Sequence, residues 1–193
     1  MVKKKLGQEE YLNTGMYDKA LRNFTPAYRR YHYREEWFFR DNVPEGSTVL
    51  DVGCGELRTT VPLAVHVGSK GKVVGIDFNQ KSYVNAKRKT EVLTNVEILK
   101  LDARRLDELP YEFDAVLFPF AFLGLLEPKD QVPVLRKAKE KLRPRGKILA
   151  TVFSERAPAA QIAMYQFMWE ARVPRYNGKY VYGGQGYKAQ NFT

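Results

Sequence analysis

From residue 48 onward the chain is punctuated by short apolar runs, three of which close on an acid. TVLDV at 48–52 follows the turn residues PEGS at 44–47 and reads as a buried strand. VVGID at 73–77 and VEILKLD at 96–102 repeat the pattern, each ending in a carboxylate. FDAVLFPF at 113–120 supplies a fourth strand and its exit, and 147–153 a fifth, entered through the turn residues RPRG at 143–146. Between these runs the apolar spacing becomes helical, which predicts helices over 61–68, 79–93 and 131–142. Asp51, Asp77 and Asp102 then stand at three strand tips along one sheet edge.

The flanks are patterned differently. Residues 1–25 contain few structural signals beyond Tyr11, Tyr17 and Phe24. Thr25-Pro26 is a cap followed by a proline in the first helical position, and predicts a helix running to about Asp41. Ala27, Arg30/Tyr31, Arg34, Trp37 and Phe38 fall on one stripe of it, whose apolar members are expected to pack on the sheet. After the fifth strand, 158–172 has helical spacing, and Asn177-Gly178 between β-like runs predicts a hairpin. Tyr176, Tyr180, Tyr182 and Tyr187 either line an acceptor pocket or bury themselves at a sheet edge.

The joint after the first strand carries the candidate chemistry. Gly53 and Gly55 let the backbone turn tightly and let a ligand lie directly on it, because no Cβ stands in the way. Thr59 or Thr60 is placed to cap the following helix, with Pro62 in its first turn. Strand, glycine turn and helix form a nucleotide site at the carboxyl end of an α/β strand. Asp77, twenty-two residues past Gly55, stands where an acid accepts hydrogen bonds from ribose hydroxyls.

Composition narrows the setting. A chain of 193 residues with 44% hydrophobic and 13% aromatic content is a single folded domain rather than a disordered segment. Its one cysteine, Cys54, allows no intrachain disulfide and reads as a packing residue of a reduced, cytoplasmic protein. No apolar core follows the basic start, so no signal peptide is expected, and the longest apolar run, at 115–126, is too short to span a bilayer. Two histidines and one cysteine offer no metal-ligand spacing, so no metal is expected. The net charge of +10 suits a polyanionic partner such as RNA, or a solvated basic surface.

VLDVGCGEL at 49–57, VVGIDFN at 73–79, LKLDARRL at 99–106, FDAVLFPFAFL at 113–123 and LRPRGKILA at 142–150 resemble the class I S-adenosylmethionine-dependent methyltransferases, in that family's order and spacing. The resemblance covers about residues 45–153. It implies a Rossmann-like α/β methyltransferase fold: a mostly parallel central sheet with helices on both faces. Within one domain, 1–42 would be an N-terminal helical lid, 45–153 the cofactor-binding core and 154–193 a C-terminal substrate-side segment. The family adds a helix and two more strands after the fifth, and the forty residues here are short for a complete C-terminal β-hairpin.

The resemblance also implies roles. The loop of Asp51, Gly53, Cys54 and Gly55 would cradle the methionine and ribose part of S-adenosylmethionine, Asp77 would bind the ribose, and Asp102 with the backbone at Ala103 would read the adenine edge. Phe78 would lie against adenine or pack in the core, and Phe118 opens an aromatic wall suited to a sulfonium. Arg30, with Arg29 and Arg34 as alternatives, would pair with the methionine carboxylate, and Tyr17 is a candidate lid aromatic. Leu57 replaces the third glycine of the usual GxGxG, so a wider turn into the helix is expected. The exit FPFA at 118–121 has no amide or carboxylate for a planar amine, which argues against enzymes that methylate nucleobase amines.

The expected function is methyl transfer to a small-molecule or lipid-like acceptor. The alternatives are an RNA methyltransferase and a non-catalytic S-adenosylmethionine-binding protein. A nicotinamide-dependent dehydrogenase shares the glycine turn and the ribose acid, but Asp51, Leu57 and Asp102 argue against it. No general base is assigned.

Overall fold

A computed structural model describes residues 26–152, 175–176, 179–182 and 185–186. The chain divides into two compact units, one spanning Arg34–Val152 and the other containing the remaining residues. Helix α1 covers Pro26–Asn42 and is followed by β1 (Thr48–Val52), α2 (Thr60–Val67), β2 (Lys72–Asp77), α3 (Gln80–Lys89) and β3 (Val96–Lys100). A 3-10 helix over Ala103–Glu108 leads to β4 (Phe113–Phe118), a second 3-10 turn over Phe122–Leu125, α4 (Pro128–Glu140) and β5 (Leu142–Ala150).

The five strands form one sheet in the order β3-β2-β1-β4-β5, and every neighbouring pair is parallel. Parallel strands need crossovers, and the alternating helices supply them, so both faces of the sheet are covered. One face packs Leu50, Val52, Val74, Ile76, Val116 and Phe118 against the first 3-10 helix and α4, through Leu106, Val134 and Ala138. The other packs Val49, Val73, Ala115 and Leu117 against Phe39 of α1, Val43 just after it, and Leu63, Ala64 and Val67 of α2. Successive residues of β1 and β4 divide between the two cores, as the period-2 alternation of a strand requires.

Several boundaries differ from expectation. Helix α1 turns Glu35 and Phe39 inward, and Val43 just after it is buried, whereas Trp37 is 61% and Phe38 40% exposed. The buried stripe is therefore offset from the one that the large aromatics suggested, and a carboxylate lies on it. Strand β3 ends at Lys100; Asp102 lies beyond it and caps the 3-10 helix by accepting the Arg104 N–H at 2.9 Å. Helix α4 begins at Pro128, three residues before the expected start. The turn expected at 143–146 appears as an irregularity within β5: Leu142 pairs with Phe113, but the regular register resumes only at Lys147 opposite Ala115, and Arg145 has φ +67°.

In the other unit, β6 (Arg175–Tyr176) pairs antiparallel with β7 (Lys179–Tyr182), as strands flanking a hairpin do, and β7 pairs with β8 (Gln185–Gly186); the turn residues Asn177 and Gly178 lie outside the described residues. The helix expected at 158–172, Tyr187 and Tyr17 lie outside the described residues. No helix among the described residues is long and apolar enough to cross a membrane.

Candidate functional site

Strand order reverses between β1 and β4: the chain builds outward to β2 and β3 on one side, then crosses to β4 and β5 on the other. A crevice outside the carboxyl ends of the strands at such a switch point is where open α/β sheets bind ligands. Here the glycine loop after β1 and the exit 119–121 after β4 flank it.

The loop is fixed by the neighbouring strand. Gly53 N–H and Cys54 N–H both donate to the Ile76 carbonyl at 2.9 Å, and Gly55 N–H donates to Asp77 Oδ2 at 3.0 Å. Asn79 N–H donates to Asp77 Oδ1 at 2.8 Å. Each oxygen of Asp77 thus holds one backbone donor and keeps a lone pair for another partner, such as a ribose hydroxyl. Burial raises the Asp77 pKa despite these two bonds.

The two glycines do different jobs. At Gly53, with φ +75°, a Cβ would lie 2.5 Å from two ring carbons of Phe122. At Gly55, with φ +46°, the nearest atoms to a Cβ would be Gly53 O at 3.8 Å and Asp77 Oδ2 at 4.0 Å. A ligand can therefore approach the bare backbone at Gly55 beside the ribose acid, whereas Gly53 makes room for a ring of the protein itself. Leu57 stands at φ +70°, so this leucine keeps a left-handed backbone where the family pattern has glycine. Its N–H closes onto the Cys54 carbonyl at 2.8 Å, giving a tight turn where a wider one was expected. The side chain is buried with Cys54, Ala86 and Ile98, and that burial offsets a left-handed strain of about 1–2 kcal/mol.

Asp51 is wholly buried beneath the loop. Thr60 Oγ1 donates to its Oδ2 at 2.7 Å, while Oδ1 has no hydrogen-bond partner among the described residues. Thr59 occupies the cap position of α2 but makes no side-chain cap bond, so neither threonine caps the helix as expected. Burial pushes the Asp51 carboxyl up to about 6, with Thr60 and Arg58 opposing the shift and Glu35 and Asp77 adding to it. Cys54 is buried and its thiol is pushed up, chiefly by burial and then by Asp51 and Asp77, which agrees with a packing role.

The remaining expected positions fall in different surroundings. Asp102 is held by Arg104, with Nε on Oδ1 at 3.0 Å and Nη2 on Oδ2 at 2.6 Å, and this hydrogen bonding keeps its pKa below the usual carboxylate range. Ala103 is buried in the core, and Phe78 is 36% exposed next to Asp77. Phe118 is wholly buried and stands behind Phe122, ring centroids 6.0 Å apart, so it backs the wall at the β4 exit instead of facing it. Arg30 is exposed on the part of α1 that belongs to the other unit.

Sequence reasoning missed four residues that the fold brings to the β4 exit: Glu35, Arg58, Phe122 and Thr151. Glu35 accepts from Arg58 Nη2 at 2.5 Å and from Phe120 N–H at 2.7 Å, and it also receives the Thr151 hydroxyl. The Arg58 guanidinium lies 5.6 Å from the Phe120 ring centroid. The only available signal was that Glu35, Phe39 and Val43 share a spacing of four; nothing in the sequence marks Arg58 or Thr151.

The open backbone at Gly55, the lone pairs of Asp77 beside it and the orphaned oxygen of Asp51 together fit an adenosyl ligand carrying positive charge. A family model described as a methyltransferase domain matches residues 49–146. The demethylmenaquinone methyltransferase of Staphylococcus saprophyticus is 32% identical over 74% of this chain and 59% of its own length. That of Bacillus licheniformis is 29% identical over 73% of this chain and 62% of its own length. The chain thus spans about three-fifths of these relatives. A structure described as a candidate rRNA-methylase from Clostridium thermocellum superposes with a TM-score of 0.53 at 25% identity, over 70% of this chain and 77% of that one. The glycopeptide N-methyltransferase MtfA, complexed with S-adenosylmethionine, shares the fold at TM-score 0.57 and 18% identity, over 65% of this chain and 56% of that one. By its motif order, its parallel sheet and these likenesses, the chain belongs to the class I S-adenosylmethionine-dependent methyltransferases.

Proposed function

We propose that this protein transfers the methyl group of S-adenosylmethionine to a small, lipid-like acceptor of the quinone type, in the cytoplasm. The observation that carries the reading is the contrast between the two sides of the switch point. The β1 side offers carboxylates and bare backbone, Asp51, Asp77 and Gly55, and the β4 side offers the aromatic residues Phe120 and Phe122. The relatives' substrate, as their name gives it, is a quinone that lacks a methyl group, and an apolar ring suits the second side.

When bound, S-adenosylmethionine supplies a methyl group already activated on a sulfonium. The protein's own work is then to hold, align and keep water out, and alignment alone can supply about 7–11 kcal/mol of barrier reduction. Gly55 and Asp77 hold the nucleoside part, and Asp77 accepts from the ribose hydroxyls. The carboxylates of Asp51, Asp77 and Glu35 lie near one another with the guanidinium of Arg58 among them. Their negative excess favours a cationic donor over its neutral product. Asp102 and the ring of Phe78 take the adenine side in this reading, as the resemblance implies.

Incubation with methyl-labelled S-adenosylmethionine and a demethylated isoprenoid naphthoquinone, held as its hydroquinone by a chemical reductant, tests the reading: the electron-rich ring carbon takes the methyl group and the proton it loses passes to solvent. Label should enter the organic phase and be absent when the quinone is omitted. Label that stays in the aqueous phase despite measurable cofactor binding would overturn the acceptor class. The net charge of +10 favours a second reading, RNA as acceptor. RNA binding that falls steeply with salt, together with label on RNA, would select it.

A further inference from the structure

Glu35 is a carboxylate only 3% exposed, on the inward stripe of α1. A buried charge is costly unless donors surround it. Those donors come from three separate places: Arg58 beyond the glycine loop, the Phe120 peptide at the β4 exit and the Thr151 hydroxyl after β5. The arrangement ties together segments that are far apart in sequence, so its consequence is geometric.

The β4 exit needs such a tie. Phe120 and Ala121 have φ +53° and +54°, two consecutive left-handed residues without a glycine. Each costs about 1–2 kcal/mol, and such strain persists only where the surroundings over-determine it. Glu35 Oε1 takes the Phe120 N–H, and Thr151 Oγ1, itself donating to Glu35, takes the Ala121 N–H at 3.5 Å. The double left-handed turn delivers Phe122 onto the face of Gly53, where its ring occupies the place of a side chain.

We infer that Glu35 is a positioning residue: through the Phe120 and Ala121 peptides it fixes the Phe122 ring against the glycine loop, and so sets the alignment of acceptor with donor rather than the affinity for the donor. This rests on the methyl-transfer reading. Its removal lets the β4 exit relax toward right-handed backbone and frees the ring. A misplacement of about 1 Å costs on the order of 100-fold in turnover.

The full chain is compared with Glu35→Leu and Thr151→Val, the second leaving the Glu35–Arg58 pair in place. S-adenosylmethionine affinity is measured by calorimetry, turnover with the isoprenoid naphthoquinone, and the ring by fluorine NMR with 4-fluorophenylalanine at position 122. In both variants turnover should fall, by about 100-fold for Glu35→Leu. The fluorine resonance should shift or split, while cofactor affinity stays within about 3-fold, well inside the loss expected for a broken alignment. Affinity falling in step with turnover, or an unmoved fluorine resonance, overturns the inference. If the wild-type chain does not methylate the quinone, the acceptor reading fails, and the fluorine resonance with the calorimetry decides the role of Glu35. If Glu35→Leu does not fold, Thr151→Val decides it by the same measurements.

Discussion

Gly53 and Phe122 fit together as backbone and ring: a Cβ at Gly53 would stand 2.5 Å from Phe122 Cδ2 and Cε2. The contact joins the two loops that flank the switch point and explains why position 53 admits no side chain, independently of any ligand. Gly53→Ala should destabilise the fold through both the collision and its φ of +75°. In a Phe122→Ala background the collision disappears and only the backbone term of about 1–2 kcal/mol remains. Denaturant unfolding of the four-member cycle should therefore show a smaller cost for Gly53→Ala when Phe122 is absent; additive costs would mean that the ring does not rest on the glycine.

Asp77 receives Gly55 and Asn79 N–H groups and retains acceptor capacity toward a ribose. Asp77→Ala should weaken S-adenosylmethionine binding by about 1–3 kcal/mol, from lost charge-assisted hydrogen bonds. Calorimetry giving the wild-type affinity would remove Asp77 from the site.

The buried Asp51 makes stability depend on pH. Its folded pKa of about 6 lies above the ordinary 3.8, so in this window the folded state holds a proton that the unfolded chain has released. Stability therefore rises as pH falls through about 6, and the penalty is fully present at pH 7 and above. Asp51→Asn keeps an acceptor for Thr60 Oγ1 and removes the buried charge, and should stabilise the protein at pH 7.5 by roughly 1–3 kcal/mol. Thermal melts should show this gain shrinking toward pH 4; an equal gain at both pH values would show that the charge is not its source.

Leu57 carries a core side chain on a left-handed backbone at φ +70°. Leu57→Ala loses the packing and keeps the strain, at about 2–5 kcal/mol. Leu57→Gly loses the packing but relaxes the backbone, and should be more stable than the alanine variant by roughly 0.5–1 kcal/mol after the extra freedom of the unfolded glycine chain is counted. Chemical denaturation ranks the two, and the reverse order would show that the turn is unstrained.

Much of this protein follows from local pattern. The apolar runs at 48–52, 73–77 and 113–118 and the helical spacing between them are properties of neighbouring residues, and a strand buried on both faces must be apolar at nearly every position. The same holds for the glycine pair and the acid of Asp77, because a turn and a strand tip are set within a few residues.

The sequence could not decide which carboxylates meet which partners. Glu35 and Thr151 are separated by 116 positions, and only the parallel order β3-β2-β1-β4-β5, with Phe39 and Val43 packed on one face, brings them together. The stripe of α1 was misread for the same reason: Trp37 and Phe38 are larger and more apolar than Glu35, yet three donors from distant segments make a buried carboxylate stable where residue character alone would turn it outward. Local spacing fixes the elements and the loop chemistry. The charges at the switch point belong to tertiary structure, because the stability of a buried polar group depends on neighbours that the chain supplies only once it has folded.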